Sequence, residues 1–414
     1  MNYALCFRIE QCLMDKNWNK TQLAKHSGVH PSDISRIFKH KQPLSLHNLD
    51  AITKALGLDE AFFYAEYMEE CYNENHHLDK RRTIQFLYKC AKEGYQQLTH
   101  SIINAILEEK SKTIRSKNLM YIFAVAELLF KDGKEKEAYS LYEIIIETMP
   151  NRVSEPLAIS YYRRFFIVKM TEDGQQALSY VLEQLAYLPN DVKRDAYLWI
   201  MAYYFRREQW QEVLYYSERL EAMVYEGEYY GRALQYKSLV LRRLGGSLEE
   251  VLNLTARYAQ INEFFADIAV GNRLVALLDY GYLEYADEYL TWLENRADIH
   301  IGLPRLLEAY VELNRLDDVK SLLKRFEPVI EEISLNEGSI IQQANLRFRY
   351  ALSLYLFKRN QFQEGLNKLL DVAYSANLIG NIEMLKRCML LFWTFRSHVT
   401  DKQEVVYKQL LSEN

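Results

Sequence analysis

Residues 20–57, KTQLAKHSGVHPSDISRIFKHKQPLSLHNLDAITKALG, decide how the front of this chain is read. Leu23 and Ala24 fall on the inner face of a short helix, Gly28 has the freedom to take the positive φ that turns the chain, and Val29, Ile34 and Ile37 are spaced to pin a second helix against the first. The second helix begins near His30-Pro31, with proline in the first turn, where its missing N–H costs little. Leu46, Leu49, Ile52 and Leu56, at helical spacing, supply the lid of this small core. The layout is that of a helix-turn-helix. In that motif the second helix lays its N-terminal residues against base edges in the major groove, while its neighbour crosses the phosphate backbone. Pro31, Ser32, Ser35 and Arg36 are therefore expected to face bases, with the planar fork of Arg36 suited to guanine. Lys20, Lys39 and Lys41 flank the same helix and suit phosphates, which give affinity without sequence choice.

Charge points the same way. Residues 1–58 hold eight Lys/Arg and four Asp/Glu, a balance of +4, whereas the whole chain is −5, which leaves −9 on the remainder. His26, His30, His40 and His47 also fall in this basic head. An acidic body carrying a basic head is oriented by the field of double-stranded DNA. A balance of +4 is weak for one copy, and a dimer reading two half-sites is the natural remedy.

From about residue 79 the chain repeats itself. Its clearest unit is 117–150, KNLMYIFAVAELLFKDGKEKEAYSLYEIIIETMP. Ala126, Gly133, Ala138, Tyr142 and Pro150 fall there at the small, turn, small, aromatic and terminator places of a tetratricopeptide repeat. Weaker copies are expected at 155–187, 195–225, 229–260, 265–296, 303–333 and 343–376, with a first hairpin at 79–115 and a closing pair of helices at 382–412. A lone hairpin leaves its apolar face open, so the units are expected to stack into a right-handed superhelix with one concave surface. Only seven prolines and fifteen glycines interrupt 414 residues, as an all-α chain requires. The expected divisions are a helix-turn-helix domain at 1–66, a linker at 67–78, a repeat domain at 79–381 and capping or dimerisation helices at 382–414. Leu385, Met389, Phe392, Trp393, Val406 and Leu410 give that last segment more apolar surface than a cap needs, which suits a contact between two copies.

Thirty-two tyrosines are many for this length. Most are expected as aromatic knobs between repeats, as at Tyr142 and Tyr289, and a subset as groove-lining side chains with an apolar face and a polar tip. When the repeats are aligned on the small residue of each second helix, the inward slots of the first helices hold Tyr162-Arg163, Leu198-Trp199, Tyr236-Lys237, Gly271-Asn272, Pro304-Arg305 and Tyr350-Ala351, with Arg347 at a further inward position. Polar and aromatic side chains in those slots suit an extended peptide, whose carboxylate and amides need partners such as Arg163, Lys237 and Asn272. The competing reading is that these residues solvate a concave face or pair with glutamates there.

The first 60 or so residues resemble the Cro/C1-type helix-turn-helix of phage repressors and Xre-like regulators, through Gln22-Leu23-Ala24, Gly28-Val29, Ile34-Ser35-Arg36-Ile37 and the ending Leu49…Ala55-Leu56-Gly57. They depart from it where the family usually has Glu-Asn-Gly or Glu-Arg-Gly after the recognition helix, since Phe38-Lys39-His40 stands there. With both halves read, the chain resembles the RRNPP superfamily of peptide-pheromone receptors, including PlcR-like and NprR-like regulators and the arbitrium receptors of temperate phages. The resemblance implies a homodimer that binds operator DNA and is switched by a short secreted peptide taken back into the cell. It also implies asparagines that clamp the peptide backbone; Asn272 fits that role best, and Asn345 less well.

Other classes find no support in the sequence. No Gly-rich phosphate loop, His-Glu-x-x-His, nucleophile elbow or cysteine–histidine pair at diagnostic spacing is present, so neither catalysis nor a cofactor is expected. His76-His77 sits in the polar run NENHHLDKRR, which reads as a solvated turn and not as a metal site. Five cysteines at 6, 12, 71, 90 and 388 lack a metal-binding spacing and are expected as free thiols in a reducing cytoplasm. No export signal or 18-residue apolar run occurs, and no membrane role is expected. The alternative function is an adaptor whose repeats sequester a protein partner while the N-terminal domain serves for docking or dimerisation and does not read DNA.

Overall fold

Asn19 and Gly28 set the two ends of the first reading-head helix. Asn19 accepts from the Gln22 N–H while the Gln22 side chain accepts from the Asn19 N–H, a reciprocal cap, and Gly28 at φ +73° ends the helix with its N–H on the Ala24 carbonyl. The computed structural model describes residues 3–294, 296–297, 299–335 and 339–412. Its first five helices are α1 (Tyr3–Asp15), α2 (Lys20–Ser27), α3 (Pro31–Phe38), α4 (Leu46–Ala55) and the single turn α5 (Tyr64–Tyr67). Leu23, Ala24, Val29, Ile34, Ile37, Leu46, Leu49, Ile52 and Leu56 are all buried in one core, as their spacing predicts, joined by Leu5, Ile9 and Leu13 of α1.

The departure after the recognition helix has a local solution. His40 takes the left-handed conformation at φ +54°, a place where glycine is the easiest occupant, and its N–H reaches the Ile37 carbonyl while that of Lys41 reaches Arg36. The ring of His40 lies 4.1 Å from that of Tyr3, a contact that glycine lacks.

The remaining helices form hairpins. They are α6 (Lys80–Glu93) with α7 (Gln96–Leu107), α8 (Lys112–Lys131) with α9 (Glu135–Thr148), and α10 (Glu155–Val168) with α11 (Gly174–Gln184). They continue with α12 (Asn190–Arg206) and α13 (Trp210–Met223), α14 (Gly227–Leu241) and α15 (Leu248–Ala259), α16 (Glu263–Asp279) and α17 (Ala286–Leu293), and α18 (Ile299–Glu312) and α19 (Leu316–Arg325). After α20 (Glu327–Leu335) come α21 (Ser339–Lys358) with α22 (Phe362–Leu378), and α23 (Ile382–Thr394) with α24 (Asp401–Ser412). Among the described residues there is no strand, only an isolated bridge between Tyr72 and Leu78, so the fold is all-α: a helix-turn-helix followed by tetratricopeptide-like hairpins. In the 117–150 unit Ala126, Ala138 and Tyr142 are fully buried and Gly133 turns the chain at φ +72°, as expected. Several first helices begin a few residues before the expected starts, at 190, 227, 263 and 299.

The chain divides into two compact units, Met1–Pro189 and Asn190–Asn414. In the first, residues 67–78 are folded onto the hairpins. Tyr67 and Cys71 are buried, while Glu69 and the turn from Asn73 to His77 stand in solvent. Phe63, Tyr64 and Tyr67 are fully buried, and the last two set their rings edge-on to Phe86 of α6 at 5.4 and 5.0 Å. The Tyr64 hydroxyl donates to Asp50 of α4 at 2.8 Å, and Lys89 and Tyr95 both reach Glu60. The reading head and the first hairpin therefore share one core, which runs from Leu5 to Leu157.

Helix stacking in the second unit depends on glycine at close approaches. A Cβ built on Gly231 in α14 would overlap the fully buried ring of Phe265 in α16. Gly231→Ala is therefore expected to destabilise the chain by about 1–3 kcal/mol, the usual cost of overpacking, read as a lowered Tm by circular dichroism. An unchanged Tm would mean that α14 and α16 do not approach as described.

Candidate nucleic-acid interface and ligand cavity

The apolar stripe of α3 fixes which of its side chains face outward. Ile34 and Ile37 point into the core, so Pro31, Ser32 and Arg36 are exposed and Ser35 is half-buried on the opposite face. His30 caps the helix: its Nδ1 accepts from the Ser32 N–H and lies 2.7 Å from the Ser32 hydroxyl. Lys39 and Lys41 follow, both exposed. Lys20 lies at the start of α2 with its ammonium over the Phe38 ring at 4.3 Å and 2.7 Å from Glu10. An exposed pair of that kind is worth roughly 0–1 kcal/mol, so a phosphate competes with it readily. Lys20, Thr21, Pro31, Ser35, Phe38 and Lys39 surround one shallow groove between α2 and α3. Of the seven residues expected to meet DNA, Lys20, Pro31, Ser35 and Lys39 border this groove.

The residues expected to line a peptide groove divide between the units. Tyr162 and Arg163 belong to the first. Tyr162 is fully buried, a knob between hairpins, and so offers no surface to a groove; this corrects its expected role. Arg163 is engaged by Glu127 through two 3.1 Å hydrogen bonds, with its guanidinium over Phe130 at 4.3 Å, and Glu127 also accepts from the Tyr142 hydroxyl. That is the pairing with glutamate that the competing reading foresaw.

In the second unit Tyr236, Asn272 and Arg347 line one cavity of about 380 Å³, whereas Lys237 is held by Glu221 at 2.9 Å and does not border it. Its apolar wall is made by Phe205, Trp210, Leu239, Val275, Trp292 and Ile301. Asn272 donates to the buried Tyr258 hydroxyl at 2.9 Å, which fixes its amide while leaving its carbonyl and a second N–H. Gly271 makes room for the Trp292 ring, against which a Cβ would clash.

The cavity is also rich in guanidinium groups, of which the inward-slot frame placed Arg305 and Arg347 and missed Arg206, Arg242 and Arg243. Arg206, Arg242, Arg243, Arg305 and Arg347 border it, with Glu308 as the bordering carboxylate. Arg242 and Arg305 share Asp279, Arg347 pairs with Glu208 at 3.1 Å, and Arg387 lies 3.6 Å from Glu308. Among the described residues, three of the five bordering arginines meet carboxylates: Arg242 and Arg305 at Asp279, and Arg347 at Glu208. Burial pushes the Arg206 and Arg305 guanidiniums down from their ordinary value, and for Arg305 Glu308 opposes the shift while Arg347, Arg243 and Arg387 add to it. Arg243 is pushed the same way, by desolvation in its recess and then by Arg347. The sequence signal was an arginine doublet at the end of consecutive first helices, Arg206-Arg207 and Arg242-Arg243.

Among the described residues no group of His, Cys, Asp and Glu could hold a metal ion, and no described helix is long and apolar enough to cross a membrane. All five cysteines are free, and burial pushes the Cys71, Cys90 and Cys388 thiols up to about 12, which makes them poor nucleophiles.

Residues 9–63 match the protein family described as Helix-turn-helix. The N-terminal segment is a DNA-binding helix-turn-helix domain. No curated protein matches the chain. Among solved structures, the chain is similar to Bacillus thuringiensis PlcR in a crystal structure with the peptide PapR7 and DNA, at 11% identity over 93% of this chain and 98% of that one, with a TM-score of 0.20. A likeness of that degree bears on no ligand or partner of this chain.

A direct reading by α3 separates two kinds of substitution. Arg36→Ala is expected to cost about 1–3 kcal/mol on the preferred duplex and to relax the choice of base at one position, whereas Lys39→Ala weakens all duplexes alike and lowers the salt slope by about one. Fluorescence anisotropy with a preferred and a scrambled duplex at several salt concentrations distinguishes them. Equal losses on both duplexes for Arg36→Ala would remove it from the base-reading set.

Proposed function

We propose that this chain is a transcription regulator that binds operator DNA as a homodimer and is switched by a short signalling peptide held in its repeat domain, in the manner of the RRNPP receptors it resembles. The observation that carries the reading is the pairing of a helix-turn-helix head with a cavity whose aromatic walls and arginines fit an apolar ligand bearing an acidic group. The peptide-binding set is Tyr236, Asn272 and Arg347, with Arg243 and Arg305 added and Tyr162, Arg163 and Lys237 given up to core and ion-pair roles. Asn272 is the backbone clamp, since its amide is oriented by Tyr258 before any ligand arrives. Pro31, Ser32, Ser35 and Arg36 read bases, and Lys20, Lys39 and Lys41 hold phosphates. The function calls for no catalytic step.

A regulator of this kind works as a pair, and the second unit offers a surface for it. Leu385, Phe392 and Leu410 are core residues, and Met389 is partly buried against them. The outer face of the same helices carries Ile382, Leu390, Trp393, Val405 and Val406, all exposed. An apolar face of that composition suits a symmetric contact with a second copy. Deleting the segment would strip the core, so the test uses the outer face alone. Leu390→Glu with Trp393→Ala is expected to turn a dimer into a monomer by light scattering without lowering Tm; a dimer that survives both changes places the contact elsewhere.

The peptide reading is tested by isothermal titration of the full chain against synthetic peptides encoded by small reading frames beside the gene. Asn272→Ala is expected to remove two hydrogen bonds to the peptide backbone, about 1–3 kcal/mol or roughly 5- to 150-fold in affinity, and to leave DNA binding by the free protein unchanged. A peptide that binds wild type and Asn272→Ala alike would overturn the clamp. DNA binding that no such peptide alters would overturn the switch.

A further inference from the structure

Glu208 stands where a glutamate is out of place. Most of the turns that close the helical hairpins put one residue in the left-handed region, and in all but one of these it is glycine or asparagine: Gly94, Gly133, Gly245, Gly281, Asn314 and Asn360. In the turn between α12 and α13 it is Glu208, at φ +56°, with its N–H on the Phe205 carbonyl just as that of Asn360 is on Phe357. A long acidic side chain gains nothing from this backbone conformation, which costs it more than it costs asparagine or glycine. Its reward lies elsewhere. The carboxylate is almost wholly buried, with 7% of the side chain exposed, and receives the Arg347 guanidinium from α21, 139 residues further along the chain. This ion pair ties the first hairpin of the second unit to one of its last, and Arg347 borders the cavity from within the same tie.

The remaining charges around Arg347 are mostly committed. Arg242 and Arg305 share Asp279, and Arg387 faces Glu308. Arg243 is different: it borders the same cavity, is recessed there though the residue as a whole is partly open to solvent, and has no carboxylate within ion-pair distance among the described residues. The cavity therefore offers one unpaired guanidinium beside a second whose partner is the chain's own Glu208. The neighbouring wall of Phe205, Trp210, Tyr236 and Trp292 suits a bulky apolar or aromatic side chain.

We propose that this cavity takes a ligand with a free carboxylate next to a bulky apolar side chain, that Arg243 and Arg347 receive the carboxylate, and that Glu208 is the internal competitor for Arg347. The proposal rests on the peptide-receptor reading for the source of the ligand, and it names the end of the peptide that enters: an apolar or aromatic C-terminal residue with its carboxylate free. Arg347 gives Glu208 one N–H at 3.1 Å, and a guanidinium holds a carboxylate best through two parallel N–H groups, so a ligand carboxylate that takes such a pair on Arg347 competes with Glu208 for it. Displacing Glu208 releases the tie between the α12–α13 turn and α21. Ligand binding and the packing of this unit are linked by that exchange, since the ligand's affinity for the two arrangements differs by the worth of the Glu208 pair.

The test uses two defined probes, N-acetyl-leucyl-phenylalanine with a free carboxylate and the same dipeptide as its C-terminal amide, titrated into the full-length protein by ligand-observed NMR. The acid is expected to bind wild type about tenfold more tightly than the amide, because only the acid brings a charge to the arginines. Glu208→Gln keeps the size of the competitor but removes its charge, and is expected to tighten the acid several-fold with no effect on the amide. Arg243→Gln weakens the acid and narrows its advantage over the amide; Arg347→Gln does the same more strongly, with circular dichroism to check that both variants are folded. Equal binding of acid and amide, an unchanged acid affinity in Glu208→Gln, or no binding of the acid to either protein would each overturn the proposal. If the acid behaves as described but no encoded peptide alters DNA binding, the carboxylate site stands and the peptide switch falls. If an encoded peptide binds and the dipeptide series shows no dependence on charge, the switch stands and this site falls.

Discussion

The seam formed by Phe63, Tyr64 and Tyr67 against Phe86 is the contact on which the N-terminal unit depends. Burying a large side chain fully contributes about 1.5–3 kcal/mol, and three of them at one junction outweigh any exposed ion pair beside it. The polar ties are specific and add direction. Tyr64 donates to Asp50, whose carboxyl is pushed up by burial and held back by that same hydrogen bond, while Arg8 reaches Glu66 from α1. A helix-turn-helix joined by a loose tether would be indifferent to the repeats behind it. Joined by this seam, it moves with α6 and α7 as one body, so a change of packing that reaches the first hairpins also reorients the reading helix.

The second unit faces the opposite problem. Its cavity removes guanidinium groups from water, among the described residues without an ion-pair carboxylate for Arg243, and a desolvated charge is costly unless it is paired. Asp279 serves two arginines, and Glu208 is brought in from a strained turn to serve a third. The downward push on Arg206, Arg243 and Arg305 has its first cause in that desolvation. An incoming anion lowers the cost for all of them. Aromatic walls then set which anion: a strongly hydrated inorganic ion gains little from Trp210 and Trp292, whereas an apolar acid buries surface there as it meets the charge.

How much of this could be read from the sequence depended on whether the signal was local. The α2–α3 core was legible because Leu23, Ala24, Val29, Ile34 and Ile37 follow one helical period around a glycine with a single conformational purpose. Ala126, Gly133, Ala138 and Tyr142 were legible for the same reason. Repeat register carried less far. It led to Asn272, Tyr236 and Arg347 at the cavity, but it also counted Tyr162 as a lining residue, since an inward slot on a helix does not tell a knob in the core from a ring at a surface. Arg163 and Lys237 were sent inward by the same frame and were taken by Glu127 and Glu221, partners 36 and 16 residues away that no helical period links to them. Glu208 was invisible. Its partner is 139 residues distant, and its turn looks like any other until the backbone angle is seen.

The central claim is that this chain reads DNA through the outer face of α3 and its flanking lysines. Hydrogen exchange of the full-length protein, alone and on a duplex selected from a random-sequence pool, tests it most directly. The account predicts slowed exchange on DNA concentrated in Lys20–Ser27, Pro31–Phe38 and the following turn through residue 41. Protection that falls elsewhere, or a pool from which no duplex is enriched, would contradict it.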